Sequence, residues 1–183
     1  VFESLGCQMK PVEMDAHGMN VRLLEESGAD IAYVMPSHQY PMGVVMPVKR
    51  RQELLSWAGR GEKRYLIEDD YDSEFRYRGK PVPALQGMDI QGKVIYMGTF
   101  SKSIAPAIRV GYLVLPAPLL AVYKRKCGFY ASTVSRIDQK IIYQFLTEGH
   151  YERHLNRMRA IYKGKHDVLM SELKTLGTEF IVQ

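Results

Sequence analysis

The sequence predicts an α/β fold built on a mainly parallel sheet of about five strands flanked by helices. Three observations carry that prediction. Short apolar runs alternate with segments of helical periodicity; the runs are apolar throughout, as strands buried on both faces are; and Gly, Pro or charged residues bound them.

Taken in order, residues 7–12, 31–35, 65–68, 94–97 and 110–115 read as strands. Val21–Ser27 reads as a short helix closed by Gly28, and Val48–Gly59 as a second, with Val48, Leu54, Leu55 and Ala58 on one face and Pro47 suited to its first turn. Between Asp69 and Val94 no helix is predicted. That stretch is polar, carries Arg76-Tyr77-Arg78-Gly79-Lys80-Pro81, and is long for an idle loop. After Pro116 the pattern changes to long helices: Ile137, Ile141, Ile142, Phe145 and Leu146 form one stripe, and Leu155, Met158, Tyr162, Leu169 and Leu173 another. These helices are expected to pack over the sheet and lead away from it. Glu179-Phe180-Ile181-Val182-Gln183 reads as a strand just begun, and the first residue is Val1, so the chain is expected to be a piece of a longer protein. Its organisation reads as a partial domain over residues 1–150 and a long helix over 151–183 leading out of it.

A composition 46% hydrophobic and 25% charged is that of a globular protein rather than a disordered one. No run of roughly eighteen apolar residues and no basic-then-apolar leader occurs, so no membrane association and a cytoplasmic location are expected. Cys7 and Cys127 lie far apart without metal-ligand spacing, which argues against a disulfide framework and against any metal site. The formal charge of +5 is modest, and the basic residues of 123–126 and 153–165 read as solvated helix faces rather than a nucleic-acid surface.

In an open parallel sheet ligands bind at the carboxyl ends of the strands. One strand runs into Asp69-Asp70-Tyr71-Asp72, another into Gly98-Thr99-Phe100-Ser101-Lys102, and a third into Pro36-Ser37-His38-Gln39-Tyr40-Pro41-Met42-Gly43. Gly98 permits close backbone approach, Thr99 and Ser101 offer hydroxyl donors, and Arg109 adds a planar cation, together a plausible phosphate cradle. Beside it, the amine of Lys102 can attack a carbonyl once burial or neighbouring cations favour its neutral form. Asp69 and Asp70 suit a hydrated turn, a magnesium site, or the partner of a cationic ring nitrogen; the lysine favours the last. Tyr71 falls on the side of Asp69 by strand alternation. Asp70, Asp72 and Glu74 read as solvated or loop-holding, His38 as a weaker candidate, and Trp57 as core.

These segments resemble the aminotransferase-like domain of MocR-type transcription regulators, a branch of the GntR superfamily. The resemblance is carried by the segments beginning at Pro36, Ile67 and Gly98, the last running through Ser103-Ile104-Ala105-Pro106-Ala107-Ile108-Arg109-Val110-Gly111-Tyr112, and extends over nearly the whole chain. It implies the central part of the large domain of fold type I enzymes, with pyridoxal 5'-phosphate as cofactor, Lys102 as the Schiff-base lysine, Asp69 at the pyridine nitrogen, Tyr71 at O3′, and Thr99, Ser101 and Arg109 at the phosphate. It also implies a homodimer, an amino-acid or vitamer effector, and DNA binding only through a winged helix-turn-helix that this chain lacks. One departure stands out. Aminotransferases of this fold carry Asn-Pro-Thr-Gly where this chain has Tyr40-Pro41-Met42-Gly43, which argues against efficient transamination.

The leading expectation is thus a cofactor-binding, effector-sensing domain of a regulator. The alternative is a free-standing aminotransferase acting on an amino acid. A phospho-acceptor signalling domain would want a further aspartate at another strand end, where this chain has Pro36-Ser37.

Overall fold

The computed structural model describes residues 2–75, 82–175 and Gly177. The loop residues 76–81 and the terminal strand expected over 179–183 lie outside the described residues. The elements run β1 (Met14–Asp15), β2 (Gly18–Met19), α1 (Val21–Ser27), β3 (Ile31–Val34), α2 (Val48–Gly59), β4 (Tyr65–Asp70), α3 (Leu85–Met88), β5 (Val94–Thr99), α4 (Phe100–Ser103), β6 (Gly111–Val114), α5 (Ala117–Cys127), α6 (Arg136–Thr147) and α7 (His150–Thr175). They fall into two compact units. One gathers described residues of 1–71, 82–98 and 112–124, the other those of 72–81, 99–111 and 125–183.

The first unit is built on a four-stranded sheet in the order β3-β4-β5-β6, with β3–β4 and β4–β5 parallel. The register sets Tyr33 opposite Ile67, Asp69 opposite Met97 and Asp70 opposite Gly98. Both predicted helices of this unit have the expected bounds. The side chain of Asn20 accepts from the Arg22 and Leu23 amides at the start of α1, and Gly28 closes it at φ 64°, a left-handed conformation that favours glycine. Leu24, Ala32, Val34, Met46, Leu54, Trp57, Ala58, Leu66, Leu85 and Val94 form the core. Each large apolar side chain buried there contributes roughly 1.5–3 kcal/mol.

Three expectations are corrected. Residues 7–12 form no strand: they run as irregular chain and are exposed apart from Val12, because no neighbouring strand among the described residues gives them a ladder. A helix does occur between Asp69 and Val94, the short α3. It has no cap from its own neighbour Ala84; the buried Glu68 carboxylate accepts from the Leu85 and Gln86 amides, both at 2.9 Å. Finally, not every strand is covered on both faces, since β6 is exposed at each residue and β3 at alternate ones.

In the second unit α6 and α7 pack against each other, with Ile142 and Leu155 buried and the Phe145 ring against Tyr151 and His154. Helix α7 also holds the turn Ser73–Phe75. Arg159 Nε donates to the Glu74 carbonyl at 2.7 Å, and the Phe75 and Tyr162 rings meet edge to face at 5.2 Å.

Candidate functional site

The candidate residues divide between the two units. In the first unit the tail of β4 presents successive carboxylates to opposite sides, as extended backbone must. Asp70 is buried and accepts from the Tyr96 hydroxyl at 2.8 Å. Asp69 is half-buried and accepts from the Tyr33 hydroxyl on β3. Burial, reinforced by the bonded carboxylate, pushes both phenols well above the usual tyrosine range, so each stays a proton donor. Tyr71, next on the Asp69 side, donates its hydroxyl to the His38 carbonyl at 2.8 Å, and its ring stacks on His38 with centroids 6.1 Å apart. The loop that carries His38 is closed on itself, with Met46 N–H donating to Pro36 O at 2.9 Å and Gln39 N–H to Val44 O at 2.9 Å.

Gly98 differs from expectation in what it admits. A Cβ there would collide with the Tyr112 ring, so the space beside Gly98 is taken by that side chain of the same unit.

In the second unit β5 ends in the short α4, whose first turn is capped by Thr99: the Ser101 amide donates to Thr99 Oγ1 at 3.2 Å. The expected hydroxyl donors are engaged within the unit. Thr99 Oγ1 donates toward Val110 O at 3.3 Å, and Ser101 Oγ to Ile108 O at 2.7 Å. Lys102 is exposed over 54% of its side chain and pairs with Asp72 Oδ2 at 3.3 Å. Its amine is thus more exposed than expected, and a carboxylate is among its described neighbours. Arg109 is exposed, and its guanidinium makes no hydrogen bond or ion pair with any described residue.

Sequence reasoning missed Tyr33, Arg51 and Glu68. Arg51 on α2 is 0% exposed and Glu68 likewise, with 3.9 Å between Arg51 Nη1 and Glu68 Oε1. Burial raises the Glu68 carboxyl above the usual glutamate range, against the pull of the two α3 amides and Arg51. A charged residue among apolar ones on a helix reads as its solvated side, so nothing local betrays such a pair. An open hollow of about 500 Å³ between α1 and α2, lined among others by Arg22, Lys49 and Arg60, holds none of the candidate residues. No helix among the described residues is long and apolar enough to cross a membrane.

All of residues 1–183 match the family described as Aminotransferase class I and II. The chain is 40% identical to the uncharacterized HTH-type transcriptional regulator YdeL of Bacillus subtilis over 95% of its length, covering 37% of that protein. It is 36% identical to the probable rhizopine catabolism regulatory protein MocR of Rhizobium meliloti, over 92% of this chain and 34% of that one. Among solved structures it is similar to kynurenine aminotransferase of Pyrococcus horikoshii, with a TM-score of 0.79 and 30% identity over 92% of this chain and 44% of that one. The chain thus spans little more than a third of these two regulators. The resemblance to MocR-type regulators and the aminotransferase fold, both expected from the strand-end motifs, are borne out, and the chain belongs to the class I and II aminotransferase family.

Proposed function

We propose that this chain is the cofactor-binding, effector-sensing part of a MocR-type transcription regulator, with pyridoxal 5'-phosphate as the cofactor and Lys102 as the lysine that bonds its carbonyl carbon. The observation that carries this reading is the pairing of family with chemistry. The relatives at 40% and 36% identity are named as a transcriptional regulator and a regulatory protein, this chain matches the class I and II aminotransferase family throughout, and its strand ends carry a carboxylate, an accessible amine and a guanidinium with no partner among the described residues.

That donor set fits the group. The Asp69 carboxylate, fixed by Tyr33, is suited to hold a proton on the pyridine nitrogen, which makes the ring an electron sink. Tyr71 supplies a phenol for O3′. Arg109 offers a forked cation to the phosphate, with Thr99 and Ser101 beside it in sequence. Asp72, paired with Lys102 Nζ, would hold the lysine in place for the cofactor. The regulator reading is preferred to a free-standing aminotransferase because Tyr40 stands where aminotransferases of this fold carry asparagine.

An amino acid or a vitamer is the signal; the parent acts as a homodimer in the cytoplasm, with the exposed Phe129 and Tyr130 in the segment at the subunit boundary; and DNA is bound by a winged helix-turn-helix outside this chain. Residues 1–150 belong to the cofactor-binding large domain and 151–183 lead toward a further one. The test is borohydride reduction of the full-length protein loaded with pyridoxal phosphate, followed by peptide mapping. The adduct is expected on Lys102 and absent in Lys102→Ala. An adduct on Lys93 or Lys80 instead would refute the assignment.

A further inference from the structure

We infer that Arg51, braced by Glu68, is a positioning residue for the loop of residues 36–46 and, through it, for Tyr71. The guanidinium of Arg51 donates to three backbone carbonyls from separate stretches of chain: Nε to Met46 O at 3.0 Å, Nη2 to Pro36 O at 2.8 Å and Nη1 to Pro83 O at 2.9 Å. Pro36 and Met46 are the two feet of the loop, already joined by the Met46 N–H to Pro36 O bond. One buried cation therefore clamps both feet at once, and ties them to Pro83 ahead of α3. Glu68, 3.9 Å from Nη1, holds the other side of that segment through the Leu85 and Gln86 amides.

What the clamp positions follows from the next bonds along. The loop carries the His38 carbonyl that receives the Tyr71 hydroxyl at 2.8 Å and the His38 ring that stacks on Tyr71. Glu68 immediately precedes Asp69 on β4, so the brace meets the chain close to Asp69 and Tyr71, while the strand itself is held by its ladders to β3 and β5. Only arginine serves here. Its planar fork reaches three carbonyls in different directions, whereas a lysine ammonium donates from a single point.

This inference rests on the reading of Tyr71 as a cofactor contact, and its test separates the two. Amide hydrogen exchange of the full-length, cofactor-free protein is compared between wild type and Arg51→Lys. The expected result is faster exchange at Gln39, Gly43 and Met46, about ten-fold or more for a lost charge-assisted bond, with β4 and β5 amides unchanged. Because an unmatched buried charge can prevent folding, the paired variant Arg51→Met with Glu68→Gln, which removes both charges, is measured alongside and should show the same loop-selective loss. Unchanged exchange in the loop, or equal acceleration everywhere, overturns the inference whether or not cofactor binds.

The second arm is a double-variant cycle with Tyr71→Phe, read as pyridoxal phosphate affinity. Arg51→Lys should weaken binding about ten-fold beside Tyr71 and much less beside Phe at that position. Equal effects in the two backgrounds overturn the route through Tyr71. Absence of cofactor uptake by the wild type overturns the functional reading, and with it this route, while the exchange arm still decides the clamp.

Discussion

Tyr96 donates its hydroxyl to Asp70 at 2.8 Å, and this bond sets Asp70 apart from its neighbour Asp69. Asp70 is occupied inside the sheet; Asp69 stands on the other side of β4. Asp70→Ala should therefore cost stability, about 1–3 kcal/mol for the phenol left without its acceptor, with a smaller effect on cofactor affinity. Asp69→Ala should weaken pyridoxal phosphate binding by about ten-fold or more, with a smaller loss of stability because Tyr33 is exposed and its hydroxyl can turn to water. Denaturant unfolding and cofactor titration of the two variants give the answer. The opposite pattern would mean that the register of functional side chains is shifted by one.

Glu68 gives a pH signature. Its carboxyl is raised by burial, so the folded state takes up a proton more readily than the unfolded one. The stability it contributes is full below the ordinary glutamate range and is lost as pH rises through the higher folded value. Glu68→Gln lacks that contribution. The stability of wild type relative to the variant should grow as pH is lowered through the raised value, then level off near the ordinary glutamate pKa of about 4.3. Urea midpoints of both proteins across that window test it; a constant difference would contradict the assignment.

Arg109 binds no described residue, so its loss should leave the fold alone. Arg109→Ala is expected to stay within about 0.5 kcal/mol of wild type in unfolding experiments. Affinity of the full-length protein for pyridoxal phosphate should fall about ten-fold or more, and affinity for unphosphorylated pyridoxal should barely change. An equal loss for both ligands would remove Arg109 from the phosphate role.

The strand β6 presents Tyr112, Leu113 and Val114 to solvent, with Leu113 55% exposed. An uncovered apolar strand is a pairing surface. The chain of 183 residues on its own should self-associate in a concentration-dependent way in sedimentation, and Leu113→Lys should shift it toward monomer. It should also take up pyridoxal phosphate less well than the full-length protein. A monomeric wild-type chain at high concentration would count against the first expectation, and equal affinity against the second.

Much of the sheet was legible because its strands announce themselves. The apolar runs that became β3, β4 and β5 end in Pro, paired aspartates or Gly-Thr, and α1 and α2 are closed or opened by residues whose backbone preferences are strong, Gly28 and Pro47. The run at residues 7–12 misleads for the same reason: apolar composition says that a segment can pair, not that a partner lies beside it. At the site, the alternation of Asp69, Asp70 and Tyr71 could be read directly. Arg51 could not, since the carbonyls it holds come from positions 5, 15 and 32 residues away in the chain. Nor could the cap on α3, supplied by a glutamate 17 residues before it. Local patterns report faces and ends of elements, whereas these bonds depend on which loops meet.

The ring of Tyr112, lying where a Cβ at position 98 would stand, makes the two positions a single evolutionary choice. Alanine at 98 requires the Tyr112 ring to turn away or to give place to a smaller side chain, and a glycine at 98 without bulk at 112 leaves the strand pair underfilled. Relatives that abandon one are expected to have abandoned the other, so a substitution harmless in one lineage becomes harmful when transplanted alone into another.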